Sequence, residues 1–200
     1  MKHVVIVRSN FQDDTLFDKY LTVAKETFFP SINSQINKNF TIFFTVNPNH
    51  KKIIKELIDP KIRIVFFNNM TEVQNHLKGD FYEIQTRHDF DDWMRRDYIS
   101  RIQYEWSIFK SRQPNIKKIL IQSQPTLFLL EKRINKPMRT RYSNKFVSMH
   151  LSLCQNKNEN FIYEHTHPKM NKITSNIKLL PYGFTRLVIH KNNKLSNKNS

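Results

Sequence analysis

Apolar residues in the first seventy positions switch repeatedly between two spacings, and few folds accommodate that switching. His3-Val4-Val5-Ile6-Val7 is an unbroken, largely β-branched run, the pattern of a strand covered on both faces. From Asp14 the spacing turns helical, with Phe17, Leu21, Ala24 and Phe28 on one face and Pro30 as a stop. Phe40 to Val46 reads as a second strand, His50 to Ile58 as a short helix, and Ile62 to Phe67 as a third strand. Strand, helix, strand, helix, strand predicts right-handed crossovers and an α/β fold around a parallel sheet.

Thr71 to Leu77 continues the alternation as a helix closed by Gly79. The stretch Glu83 to Trp93 then reads as a short strand, an acidic loop and a helix beginning near Trp93. In that helix Ile99, Ile102, Trp106 and Phe109 share one face. Lys118 to Gln122 and Thr126 to Leu130 predict two strands of a hairpin turning at Gln124-Pro125, which makes the sheet mixed rather than purely parallel. Phe146 to Met149 predicts a further strand, and Phe161 to Pro168 and Leu187 to His190 pass from apolar to polar. The expectation is a single domain over residues 1–190, with a polar tail from Lys191 to Ser200.

In an open α/β sheet, ligands gather beyond the C-terminal ends of the parallel strands. Two kinds of chemistry lie at those ends here. Arg8, Asn10 and Arg87 offer cationic or neutral hydrogen-bonding groups suited to phosphates. Asp89-Phe90-Asp91-Asp92 offers three carboxylates in four positions. Such crowding has two readings: a helix N-terminus that the aspartates cap, or a hard divalent cation such as Mg²⁺ or Mn²⁺ that they hold against substrate oxygens. Among the eight histidines, His190 is the best candidate ligand because it ends an apolar strand, with His165 and His167 behind it.

Composition removes several alternatives. Gly79 and Gly183 are the only glycines, too few for a Gly-rich phosphate loop. Cys154 is the one cysteine and fits a small core residue, so no disulfide framework or thiolate cluster is available. No apolar run approaches the roughly twenty residues needed to span a bilayer, and Val4 to Val7 is too short for a signal peptide. A cytoplasmic setting is the expectation. The formal charge of +16 favours polyanionic partners. It permits a peripheral position on an anionic membrane, and it sustains a rival reading as a nucleic-acid-binding protein without catalysis, with Lys132 to Phe146 as its basic and aromatic stretch.

The order of these segments resembles a rhamnosyltransferase family within the GT-A glycosyltransferases. The likeness rests on the opening strand ending in Arg8, on Phe29-Pro30-Ser31-Ile32-Asn33-Ser34-Gln35 and on Asn39-Phe40-Thr41-Ile42. It also rests on Thr86-Arg87-His88-Asp89-Phe90-Asp91-Asp92, on Arg96-Asp97-Tyr98-Ile99 and on Val188-Ile189-His190 with Asn192, so that it spans roughly Val4 to Asn192. The resemblance implies a GT-A-like (Rossmann-like) fold and a nucleotide-diphosphate sugar as donor. It implies Mn²⁺ or Mg²⁺ at an Asp-x-Asp-type motif, with Asp91, Asp89 and His190 as ligands. Asp89 would also contact the donor's sugar or ribose. The acceptor would be a glycan, a lipid-linked molecule or another hydroxyl compound, and the sugar a hexose or deoxyhexose such as rhamnose. An inverting enzyme would need a carboxylate base, for which Asp92 and Glu164 are the candidates. A GT-A fold that has lost activity is a further possibility.

Overall fold

A computed structural model describes residues 1–9, 11, 13–130, 134–137, 150–157, 159–164, 170 and 172–190. Asn10, the histidines at 165 and 167, the expected strand Phe146 to Met149 and the tail from Lys191 lie outside the described residues.

The predicted alternation is present. Strands β1 (His3–Arg8), β2 (Thr41–Thr45), β3 (Arg63–Phe67) and β4 (Ile84–Asp89) are mutually parallel. They are linked through α1 (Asp14–Glu26), α2 (Phe28–Asn33), a 3₁₀ turn with α3 (Lys51–Leu57), and α4 (Met70–Gly79). The chain continues through β5 (Trp93–Met94), α5 (Tyr98–Arg112), β6 (Lys118–Leu129), β7 (Ile134–Pro137), β8 (Leu151–Gln155) and β9 (Ile177–Ile189). The nine strands among the described residues form one sheet in the order β3-β2-β1-β4-β8-β6-β9-β5, with β7 paired to β6. β8 runs antiparallel to both β4 and β6, β9 runs parallel to β6, and β5 runs antiparallel to β9.

β1 shows why a continuous apolar run is needed. Val5 and Val7 enter the core beneath α1, α2, α3 and α5, while Val4 and Ile6 enter the core on the α4 side. Polar side chains on either parity would leave one layer unfilled. On α1, Phe17, Leu21 and Ala24 are buried as their spacing requires, and Asp13 caps the helix by accepting from Thr15 N at 2.8 Å. α5 buries Ile99, Ile102 and Trp106. Cys154 is a free, buried thiol on β8. No described helix is long and apolar enough to cross a membrane.

Three local expectations are corrected. α1 ends at Thr27 rather than Pro30: the Thr27 N–H turns back to Ala24 O, and Thr27 Oγ1 donates to Val23 O at 2.8 Å. Pro30 then falls in the first turn of α2, where a missing N–H costs nothing. The hairpin at Pro125 is absent; β6 runs straight through it, and register irregularities around Gln124 accommodate the proline. Trp93 and Met94 form a short strand, so the next helix starts five residues later than expected, at Tyr98.

Candidate active site

That last correction settles the first question about the acidic loop. Helix α5 has Asp97 at its N-cap position, and the Asp97 carboxylate is held by Arg95 through Nη2 at 2.7 Å. Asp89, Asp91 and Asp92 all precede β5 and cap nothing.

A compact turn gathers them instead. β4 ends at Asp89, and the Asp92 N–H returns to Asp89 O at 3.3 Å. Phe90 plunges inward with 1% exposure, packed among Phe11, Phe17, Phe28, Phe29 and Phe44. Thr27 Oγ1 donates to Asp91 O at 3.0 Å, so the break after α1 supports the loop from above. β5 pairs with β9 through Trp93–Arg186 and Met94–Thr185, which carries the end of β9 back to the loop. The outcome is that oxygens of Asp89, Asp91 and Asp92 lie within 4.8 Å of one another.

His190, the residue after β9, joins them with Nε2 3.0 Å from Asp91 Oδ2, and Tyr20 packs edge-on against its ring at 5.2 Å. Asp89 and Asp91 are half-buried, whereas Asp92 is 1% exposed. Asp92 Oδ1 accepts the Val188 N–H at 2.9 Å, and Oδ2 faces His150 Nε2 at 3.3 Å. Behind the loop, His88 Nδ1 donates to Asp89 O at 2.7 Å and its ring meets that of His150 edge-on. His150 carries no motif in the sequence and was not anticipated; its isolation leaves no signal that could have found it.

The electrostatics follow from burial of like charges. Burial, reinforced by Asp92 and Asp91, pushes Asp89 up to about 7. Burial and then Asp91 raise Asp92 well above the carboxylate range, and burial holds His150 down to about 4. Asp89 and Asp92 in this setting hold protons more readily than ordinary carboxylates unless a cation offsets the repulsion. An oxygen-rich set with one imidazole suits Mn²⁺ or Mg²⁺ better than a soft metal, so the residues present fit such an ion.

The other expected contacts divide. Arg8 is exposed at the end of β1, in register with Asp89. Arg87 lies over the Tyr163 ring at 4.3 Å, and its Nε is buried without a hydrogen-bond partner. Arg8 is paired in register with Asp89, and the Arg87 charge lies close enough to Asp89 to favour its ionised form. Glu164 sits elsewhere, accepting from Asn160 Nδ2 at 3.2 Å in a small groove of about 150 Å³ beside α4.

Solved structures share this arrangement of elements. The chain aligns with S. aureus TarS at a TM-score of 0.56 and 10% identity, covering 94% of this chain and 37% of TarS. With TarS residues 1–349 in complex with UDP-GlcNAc the TM-score is 0.54 at 11% identity, covering 98% of this chain and 61% of that one. The UDP complex of the same fragment gives 0.52 at 10% identity. At such identities the likeness shows the fold, which is GT-A, and the chain spans 37% to 61% of the length of these proteins. No curated protein matches it in sequence. Residues 8–198, nearly the whole chain, match a family described as "Putative rhamnosyl transferase", and the protein belongs to that glycosyltransferase family.

Proposed function

We propose that the protein is a metal-dependent glycosyltransferase that moves a hexose or deoxyhexose from a nucleotide-diphosphate sugar to a hydroxyl on a glycan or lipid-linked acceptor. The observation that carries this reading is the convergence of Asp89, Asp91 and His190 at the C-terminal end of β4. Asp91, Asp89 and His190 would hold Mn²⁺ or Mg²⁺. That ion would supply Lewis-acid stabilisation of negative charge on the departing diphosphate. Arg8 and Arg87 present cations on the same side for the phosphate oxygens, and the unpartnered Arg87 Nε is a donor awaiting an acceptor. Asp89, at the strand end, is placed to orient the donor's sugar or ribose. TarS has been solved with UDP-GlcNAc, which supports a nucleotide sugar as the donor class. The family description favours rhamnose among the sugars. The net charge of +16 supports a cytoplasmic enzyme seated against an anionic membrane.

A thermal-shift screen of nucleotide sugars with and without Mn²⁺ tests the reading. One donor class should raise Tm when Mn²⁺ is present and not in EDTA. No stabilisation by any donor in either condition overturns it. The same charge favours a second reading, nucleic-acid binding, which predicts a loss of affinity on the order of a thousandfold between 50 and 200 mM salt, whatever the metal.

Cation binding should also be linked to pH. Asp89 titrates near 7 rather than at its ordinary 3.8, so a bound cation must displace its proton. Mn²⁺ affinity, measured by calorimetry, should rise up to about tenfold per pH unit below 7 and level off above it. Without metal the sign reverses for the fold. A carboxyl with a raised folded pKa contributes stability at low pH, and that contribution fades as pH climbs from about 4 to about 7.

A further inference from the structure

We propose that His150 is a positioning residue for the cation-binding carboxylates, acting through Asp92. The inference rests on the cation reading above and extends it to a residue outside the acidic motif. Asp91 and Asp92 each grip the end of β9, by different means. Asp91 reaches the His190 side chain at 3.0 Å, and Asp92 takes the Val188 backbone N–H at 2.9 Å. Two anchor points, two residues apart on one strand, fix both the height and the rotation of the loop relative to His190. The second anchor holds only while the Asp92 carboxylate keeps its orientation.

His150 supplies that orientation. It is 0% exposed, and its Nε2 lies 3.3 Å from Asp92 Oδ2, the oxygen that does not bond Val188, a close polar approach outside hydrogen-bond geometry. The residue is itself tied down on several sides. Its carbonyl accepts the Ser123 N–H of β6 at 3.3 Å, and the next residue, Leu151, pairs with Arg87 of β4 and Gln122 of β6. Its ring lies against His88, whose Nδ1 holds the Asp89 carbonyl. It also reaches the backbone of Arg186, on the same strand as Val188. A residue whose backbone is held by β6 and the start of β8, and whose ring meets His88 and the backbone of β9, faces the buried oxygen of Asp92 and transmits the rigidity of the sheet to the loop. Asp92, enclosed at 1% exposure, orients the cluster rather than meeting an acceptor hydroxyl. A histidine that merely filled the core would need no polar atom at this place, and an apolar side chain of similar volume would serve. A polar partner for a carboxylate beside metal ligands is a known determinant of metal affinity, with losses of roughly 10- to 100-fold when it is removed.

The test compares His150→Leu, His150→Gln and His150→Asn by Mn²⁺ titration, following free Mn²⁺ by electron paramagnetic resonance at a temperature where circular dichroism shows each variant folded. Leu keeps the volume and removes the polar contact; Gln keeps a polar N–H of similar reach facing Asp92; Asn is too short to reach it yet keeps a polar group, and replaces Leu if Leu does not fold. Mn²⁺ affinity should fall about tenfold or more in the Leu and Asn variants and stay within about threefold of the parent in Gln. Equal affinity in all four proteins overturns the proposal, as does an equal loss in Gln and Leu. A parent protein that binds no Mn²⁺ overturns the cation reading itself. A parent whose Mn²⁺ binding is abolished by Asp91→Asn but untouched by His150→Leu overturns the positioning role alone.

Discussion

Asp91→Asn should abolish Mn²⁺-dependent binding of nucleoside diphosphates, with the affinity for Mn²⁺ falling by more than about a hundredfold. Replacing groups that merely orient metal ligands already costs roughly 10- to 100-fold, and Asp91 is the carboxylate paired with His190, its side chain 14% exposed. The variant should not be damaged as a fold. Asparagine can still accept from His190 through its carbonyl oxygen. It also relieves the repulsion by which Asp91 raises the neighbouring Asp89 and Asp92. Its Tm in EDTA should therefore equal or exceed that of the parent, while the increment given by Mn²⁺ disappears. Calorimetry with Mn²⁺ alone, then with a nucleoside diphosphate in Mn²⁺, measures both. Retention of Mn²⁺ affinity within threefold would remove Asp91 from the cation site.

Phe90→Ala should be among the most destabilising single changes in the protein. Its ring lies 5.7 Å from that of Phe29 in an edge-on pair and 5.9 Å from Phe28, with Phe44 edge-on at 6.0 Å and Phe17 stacked at 6.1 Å. Truncating a fully buried Phe costs about 3–5 kcal/mol. In a domain of this size that corresponds to a fall in Tm of roughly 6–20 °C. The residue sits between two candidate ligands, so the loop loses its anchor along with the core. Urea unfolding gives the number directly. A loss under about 1 kcal/mol would mean that the neighbouring rings close over the space.

The parallel half of the sheet was legible because its signals are local. A run such as Val4 to Val7, followed by a helical spacing from Asp14, states its own structure, and each crossover follows the handedness rule. The carboxylate cluster of Asp89 to Asp92 was legible in the same way, since its members are neighbours in sequence. What misled were places where tertiary pairing overrides local preference. Trp93 and Met94 look like the start of a helix, yet β9 offers them strand partners, and pairing wins over the first turn that a helix must nucleate unaided. Pro125 reads as a turn because a proline interrupts most strands; an irregular register beside it lets β6 continue. Thr27 breaks its helix by bonding backward through its hydroxyl, a competition that periodicity cannot register. His150 matters through what surrounds it, and a lone histidine after Met149 announces none of that.

The place of β9 in the sheet has a consequence for how such a chain acquires competence. Asp91 and His190 are 99 positions apart, and they meet because the last described strand docks between β6 and β5. Closing so long a loop is entropically slow compared with forming the four parallel strands and their helices. An intermediate with those strands in place would carry the full acidic loop and its carboxylate repulsion, but no imidazole and no Val188 amide to steady it. The meeting of Asp91 with His190, and with it any capacity to hold a cation, then arrives in one step with the completion of the sheet. It is a property of topology as much as of any motif, and a chain that stalls before that step is inert, however well its first half has folded.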